Sequence, residues 1–413
     1  MPAVYRLMLA LVEQGCQIHW MMMGRDKRGR STYDLLDGKI RVTCCQPPGA
    51  AWFDKMAGSK LRHLKLPQAA YMWSCLRRTL RLLRHTKVDL AYGAGPWGAT
   101  VAGIAAYMHR LPRVSRLYGS LLYFDRLQGR MEWLNSQYPW EVAAFKWPGD
   151  ALIMTNDGTR CDLLAERFGT DPRKVFFLLN GVDKNVPDDM DGVRAAVRRR
   201  LGVPERAVML ATVSRLAPWK RVDRAIRAMA ALQAQQLPCR LFIVGDGPSR
   251  PQWEALSHAS GAASLVTFLG ELPHQEALEV LRSTDIFLSL YDFSNLGNPL
   301  IEAMVAGRCI VSLADGSVDG IITDGHDGIL LRPETLESEL PGQLAALIRD
   351  SELRQRLGAS AKRTAAATFW NWDERIAAET HIINTLCTGQ VLDARRLTAE
   401  WATRRTNPRP TSA

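Results

Sequence analysis

Residues 288–307 read LSLYDFSNLGNPLIEAMVAG. The first three read as the end of a buried strand. From Pro299 the pattern predicts a helix, with Asn298 as its cap, Pro299 at its first position and Gly307 just past its end. Between strand and helix lies SNLGN, a short run without charge. A strand end, a bare backbone loop and a helix start carrying one acid, Glu302, form the unit on which open parallel sheets bind ligands.

The rest of the chain repeats that alternation. Candidate strands lie at 17–23, 39–44, 88–92, 112–118, 150–155 and 174–179, and a second series at 207–214, 240–245, 264–270, 285–290, 309–313 and 328–331. Amphipathic stretches of helical length separate most of them. Strands alternating with helices predict parallel sheets covered by helices, and two series predict two such domains. We place the first at 1–185 and the second at 200–370, joined through the polar, proline-containing stretch 180–192. A closing helix is expected at 371–387, and a disordered tail at 388–413.

A doubly wound domain opens with a central strand, a glycine-rich turn and then a helix. This chain opens directly on what reads as that helix, Pro2 to Gln14. The first domain is therefore expected to lack its first strand, as an incomplete gene product would.

The chain has 413 residues, of which 47% are hydrophobic and 23% charged, enough apolar material for real cores. Its eight cysteines are scattered without metal-ligand spacing, which fits unpaired thiols in a reducing compartment. No apolar run reaches the roughly 18–20 residues of a membrane span. The net charge of +11 is uneven. Residues 1–180 hold 26 Lys+Arg against 14 Asp+Glu, and the remainder 27 against 28. A half-molecule field of that sign suits an anionic surface or partner, although a solvated basic face is the plainer reading.

Three strand ends of the second domain are furnished alike. After 207–214, Arg215 and Lys220 flank a proline-containing turn. A guanidinium fork and a mobile ammonium can neutralise a diphosphate without a metal. After 240–245 comes GDGP, beginning at Gly245, whose glycines permit close backbone approach. In the opening stretch, the amides of Leu296, Gly297, Asn298 and Leu300 can face an anion with the helix dipole behind them, and Glu302 can accept from a sugar diol. Taken singly these are solvated cations, a tight turn and a helix-dipole carboxylate. Together they suit an anionic, polyhydroxylated ligand. A competing signal is G-x-G-x-x-G at Gly93, Gly95 and Gly98, the dinucleotide fingerprint. The acid expected about 20 residues on is absent. An Arg at 116 would suit a 2′-phosphate, so an NADP-dependent oxidoreductase stays open as an alternative. The pair Asp189 and Asp191 reads as a chance match to a metal-binding DxD.

In order and spacing, NGVD (180–183), VSRLAPWK (213–220), VGDGPSR (244–250), VTFLGELPH (266–274), the opening stretch and DGHDGILLRP (324–333) resemble the group 1, family 4 retaining glycosyltransferases; FWNWDERI (369–376) resembles their closing helix. The resemblance implies two facing Rossmann-like domains, the GT-B fold, and retaining transfer from a nucleotide-diphosphate sugar. It implies no cofactor and no metal. Arg215, Lys220 and Glu302 would carry the reaction, the first two on the diphosphate and Glu302 on the ribose. Gly245, Gly270, Ser294, Asn295, Leu296, Gly297, Asn298 and Leu300 would line the donor site. Gly95, Arg116 and Tyr118 would lie on the acceptor side. Two positions depart from the family's pattern. Ser294 stands where the family has a second Glu beside the donor sugar, and Tyr118 where it often has a catalytic His. A transferase-like binding protein without turnover is thus a second alternative. The expected partners are the nucleotide-sugar donor, a saccharide or lipid-linked acceptor and an anionic membrane surface, with no nucleic acid. The expected location is cytoplasmic, peripheral at the inner membrane face.

Overall fold

The computed structural model describes residues 2–26, 28–52, 66–122, 138–184 and 189–406. Contacts divide the chain into two units. One comprises Met1–Asn156, Arg160–Leu178 and Asp373–Ala413; the other comprises Asp157–Thr159 and Leu179–Trp372.

The first unit holds seven of the described strands: β1 (Ile18–Met23), β2 (Thr32–Leu35), β3 (Ile40–Cys45), β4 (Ala91–Ala94), β5 (Arg113–Leu117), β6 (Ala151–Thr155) and β7 (Val175–Leu178). They form two sheets, ordered β1-β3-β2 and β4-β5-β6-β7. All neighbours are parallel except β2, which runs antiparallel to β3. The sequence does not announce β2, because TYDL is polar and its exposure merely alternates. Its turn explains it: Leu36 and Asp37 both take positive φ, at 50° and 52°, the backbone a tight hairpin demands. Among the described residues, β1 and β4 are each paired on one side only. All six residues of β1 are consequently only half-buried, whereas β5 and β6 are buried throughout.

The second unit holds β8 (Val208–Val213), β9 (Cys239–Val244), β10 (Val266–Gly270), β11 (Ile286–Leu288), β12 (Cys309–Leu313) and β13 (Ile329–Leu331). All six are parallel, in the order β10-β9-β8-β11-β12-β13. This is the doubly wound Rossmann order. Its strands are near-continuous apolar runs because helices cover both faces. Leu210, Leu241 and Ile243 pack with Ile226, Met229 and Trp253 on one face. The intervening Met209, Ala211 and Phe242 pack with Val197 and Val280 on the other. The Asp189 carboxylate caps the helix Met190–Arg200 by accepting from the Gly192 amide. No metal-binding group of acids, histidines and cysteines occurs among the described residues.

The glycine fingerprint is a packing device. A Cβ on Gly93 would lie 2.5 Å from the Cα of Ala99, so β4 meets the helix Gly95–His109 backbone to backbone.

The closing helix runs from Trp372 to Cys387 and packs within the first unit. The tail expected to be disordered contains a further helix, Ala394–Thr406. Leu392, Ala394 and Leu397 are buried, and Trp401 meets the ring of Phe176 on β7 at 6.0 Å. A run of arginines hides this apolar spacing in the sequence. The end of the tail, 407–413, lies outside the described residues.

The closing helix is fixed by buried charge. Glu379 accepts from the Tyr92 hydroxyl, from Arg116 and, at 2.8 Å, from Nη1 of Arg375. The side chains of Arg116, Arg375 and Glu379 are wholly buried. Burial raises the Glu379 pKa, but Arg375 and Arg116 outweigh it and hold the carboxyl below its ordinary range. Removing one partner of such a cluster strands the others, at a cost of about 3–5 kcal/mol. Glu379→Ala should therefore destabilise the first unit by about that amount in chemical denaturation. A loss under about 1 kcal/mol would show that the cluster is not what holds the helix.

Candidate functional site

In the second unit the chain winds from β8 through β9 to β10 on one side, then returns to add β11, β12 and β13 on the other. The order reverses between β8 and β11. In an open parallel sheet this switch point, at the carboxyl ends of the strands, is where a crevice for a ligand forms. The loop after β8 carries Arg215 and Lys220, and the loop after β11 carries residues 289–297 leading into the helix Asn298–Val305.

The two loops are tied together. Asp292 donates its amide to the Trp219 carbonyl at 3.0 Å. The Asp292 carboxylate accepts from Arg221 at 3.1 Å and pairs with Arg224 at 2.9 Å. The Trp219 ring stacks on Phe293, with centroids 4.6 Å apart, and meets Tyr291 edge-on. Lys220 Nζ sits in this aromatic box, 3.9 Å from the Trp219 centroid and 3.6 Å from that of Tyr291. The rings attract the ammonium but exclude water from it. Burial wins: it lowers the Lys220 pKa to about 7, with Asp157 pulling the other way. Arg215 is exposed on the same loop.

At the helix start the cap is Gly297, one residue earlier than the sequence suggests, with Pro299 inside the first turn. Proline has no N–H, so no donor is wasted there. The Leu300 amide, expected to face an anion, donates instead to the Gly297 carbonyl at 3.0 Å. The amides of Leu296, Gly297 and Asn298 have no partner among the described residues. The side chains of Leu296 and Leu300 lie in the core. Asn295 is likewise not a ligand contact through its side chain. It is fully buried, accepts from the Tyr291 amide at 2.9 Å and donates to Asp315 at 3.0 Å, pinning the loop from within. Ser294 takes a left-handed φ of 61° and donates to the Asp157 carbonyl at 3.0 Å. Asn298 Oδ1 accepts from Asn180 at 3.0 Å.

Glu302 lies in the first turns of that helix with its side chain 15% exposed. Burial pushes its pKa up to about 7, opposed by Arg282 and reinforced by Asp183. His274 Nε2 stands 3.8 Å from it. Gly245 and Gly270 sit at the ends of β9 and β10 and are joined, the Gly245 amide donating to the Gly270 carbonyl at 2.7 Å.

The first-unit candidates behave differently. Gly95 opens a helix with φ of 73°. Arg116 is wholly buried with its Nη1 on Glu379, which takes it away from the acceptor side and from the 2′-phosphate an NADP enzyme would bind. Burial raises the Tyr118 hydroxyl to about 12, further from neutral acid–base work than an ordinary tyrosine. The sequence did not single out Trp219, Tyr291 or Phe293, although APWK and LYDF put the three aromatics in the right loops.

A family model for group 1 glycosyl transferases matches residues 193–364, and one for Glycosyltransferase Family 4 matches 3–186. This chain belongs to the group 1, family 4 glycosyltransferases. It is 34% identical to a D-inositol 3-phosphate glycosyltransferase of Stackebrandtia nassauensis over 231 residues, 54% of this chain and 51% of that one. It thus spans about half the length of that relative. A 2-deoxystreptamine glucosyltransferase of Streptomyces kanamyceticus is 26% identical over 355 residues, 84% of this chain and 87% of that one. In fold the chain is similar to Anabaena Alr3699/HepE in complex with UDP and glucose, with a TM-score of 0.65, 18% identity, and coverage of 92% of this chain and 95% of that one. The expected GT-B class, with Rossmann-like sheets, stands.

A lysine held below its ordinary value of 10.5 makes protonation unfavourable to folding. That penalty is full below pH of about 7 and fades as the pH rises toward 10.5. Labelling of Lys220 by an amine-reactive reagent, followed by mass spectrometry across pH, should show a midpoint near 7. A midpoint near 10.5 would show that Nζ is not desolvated.

Proposed function

We propose that this protein transfers a sugar from a nucleotide-diphosphate sugar to a hydroxyl of a saccharide or lipid-linked acceptor, with retention and without a metal. The observation that carries this is the switch point itself: two cations after β8, and after β11 a loop with three available amides followed by a helix bearing Glu302. The diphosphate lies on the helix start and between Arg215 and Lys220. Glu302 accepts from the ribose diol. Backbone at Gly245 and Gly270 borders the base. Catalysis is largely positioning plus cations set in advance against the departing diphosphate. Lys220, whose pKa burial lowers to about 7, is favoured in its charged form by the arriving diphosphate. The acceptor's proton passes to the leaving phosphate on the same face, which does not require a base at Tyr118.

The burial of Tyr118 also favours a second reading, binding without turnover. Release of free sugar or product from a panel of nucleotide sugars separates the two, since a binder yields neither.

The basic first unit docks, in this proposal, on an anionic membrane surface at the cytoplasmic face. Of the apolar residues in the helix Leu66–His85, Leu76, Leu80 and Leu83 pack inward against Met72 and Val101. Trp73 points out at 66% exposure, and Arg77, Arg81 and Arg84 follow it on the exposed face. No helix among the described residues is long and apolar enough to cross a membrane.

Two outcomes are expected. Arg215→Ala and Lys220→Ala should each weaken a nucleoside diphosphate by about 1.5–3 kcal/mol in calorimetry, the range for a charge-assisted bond. UDP is the first probe to try because a structural neighbour carries it; unchanged affinity in both variants would refute the site. Sedimentation with anionic liposomes should fall with salt, each surface cation being worth about 1 kcal/mol. Equal binding to neutral vesicles would refute the electrostatic docking.

A further inference from the structure

The edge of the second unit carries Asp292, Asp315 and Asp157. The Asp292 contacts with Arg221 and Arg224 both fall on Oδ1. Asp315 is used by Ser317, at 2.6 Å and 2.9 Å, and by Asn295 at 3.0 Å. Asp157 differs. It sits in the loop after β6, yet packs with the second unit. Its Oδ1 accepts from the amide and the hydroxyl of Thr159, at 3.0 Å and 2.6 Å. Its Oδ2 has one long contact, 3.4 Å from the Ser294 hydroxyl, whose shorter bond goes to the Asp157 carbonyl. A carboxylate oxygen accepts readily from more than one donor. Oδ2 therefore keeps acceptor capacity on a half-buried group.

Its placement says what would fill it. Ser294 begins the run that leads to the open amides of Leu296, Gly297 and Asn298, and its left-handed turn brings Asp157 to that loop. Asp157 is also the acid whose charge acts on Lys220. Cations and amides on this edge suit phosphates; Asp157 adds an acceptor oxygen whose one contact is long. A hydroxyl next to a bound phosphate is the complementary donor, and a buried polar group left unpaired discriminates strongly for a ligand that pairs it.

We propose that Asp157 Oδ2 accepts a hydrogen bond from a hydroxyl of the transferred sugar, held in place by Ser294 and Thr159, and so sets donor-sugar preference. This rests on the proposal that a nucleotide sugar lies at the β8–β11 switch point. Asp157 is then a specificity contact on the sugar, not on the nucleotide.

The test compares UDP with a panel of UDP-hexoses, by calorimetry, on the full chain and on Asp157→Asn. The amide keeps the shape and an acceptor for Thr159, and thermal melting checks the fold. The unaltered chain should bind one UDP-hexose more tightly than UDP. In Asp157→Asn that preference should shrink by about tenfold while UDP affinity changes by less than about twofold. Ser294→Gly, which suits the left-handed backbone, should lose part of the preference by releasing Asp157. A preference that survives Asp157→Asn overturns the proposal. So does an equal loss for UDP and UDP-hexose, which marks a merely structural role. A chain that binds UDP but no UDP-hexose more tightly also overturns it. A chain that binds no UDP, GDP or ADP, free or sugar-linked, overturns the donor-site reading, and this proposal falls with it.

Discussion

A side chain at Gly245 is impossible: its Cβ would lie 1.9 Å from the Ser214 carbonyl oxygen. The same is true at Gly247, where the Cβ would lie 2.5 Å from the Leu216 carbonyl. These two glycines let the loop after β9 press against the loop after β8. Three backbone bonds follow from that closeness. Ser214 donates to Val244, Leu216 to Asp246 and Ser249 to Leu216. The loop that presents Arg215 and Lys220 is therefore braced by its neighbour's backbone. The glycines of GDGP serve loop packing first, and any approach to a ligand second.

Lys220 shows what that bracing allows. An ammonium placed on mobile backbone would swing to water. Here it is fixed between Trp219 and Tyr291, with Phe293 stacked on the Trp219 ring. The cost is desolvation, and the result is a cation whose charge depends on what comes near it. The first unit resolves buried charge differently. Glu379 is surrounded by Arg116, Arg375 and Tyr92, and its carboxylate is satisfied from within the protein. One arrangement is open to a partner and the other closed, which distinguishes a site from a clamp.

Much of this was legible in sequence because buried parallel strands are written as apolar runs. VMLATV, CRLFIV and CIVSL could be located almost to the residue. β2 was not, because its pairing is fixed by a turn and not by apolar content. The helix at 394–406 was hidden by its arginines. In the site, Lys220 and Glu302 were visible because a charge beside a strand end is conspicuous. Asn295 and Leu300 were misjudged because a sequence does not say which way a loop residue faces. Asp157 was missed because it reaches Ser294 across 137 residues of chain, a juxtaposition only tertiary structure creates.

The sheet of the second unit lends the site no side chain. Its strand side chains are consumed by the core on both faces, and the side chains offered to a ligand hang on loops or on the helix Asn298–Val305. Stability and substrate choice are thereby written in different parts of the sequence. Exposed loop positions such as Arg215 can change without disturbing the six-stranded scaffold. Conversely, core substitutions can raise the melting temperature without reaching the chemistry. Such a division lets one architecture diversify by drift in its loops, with the fold acting as a buffer against the cost.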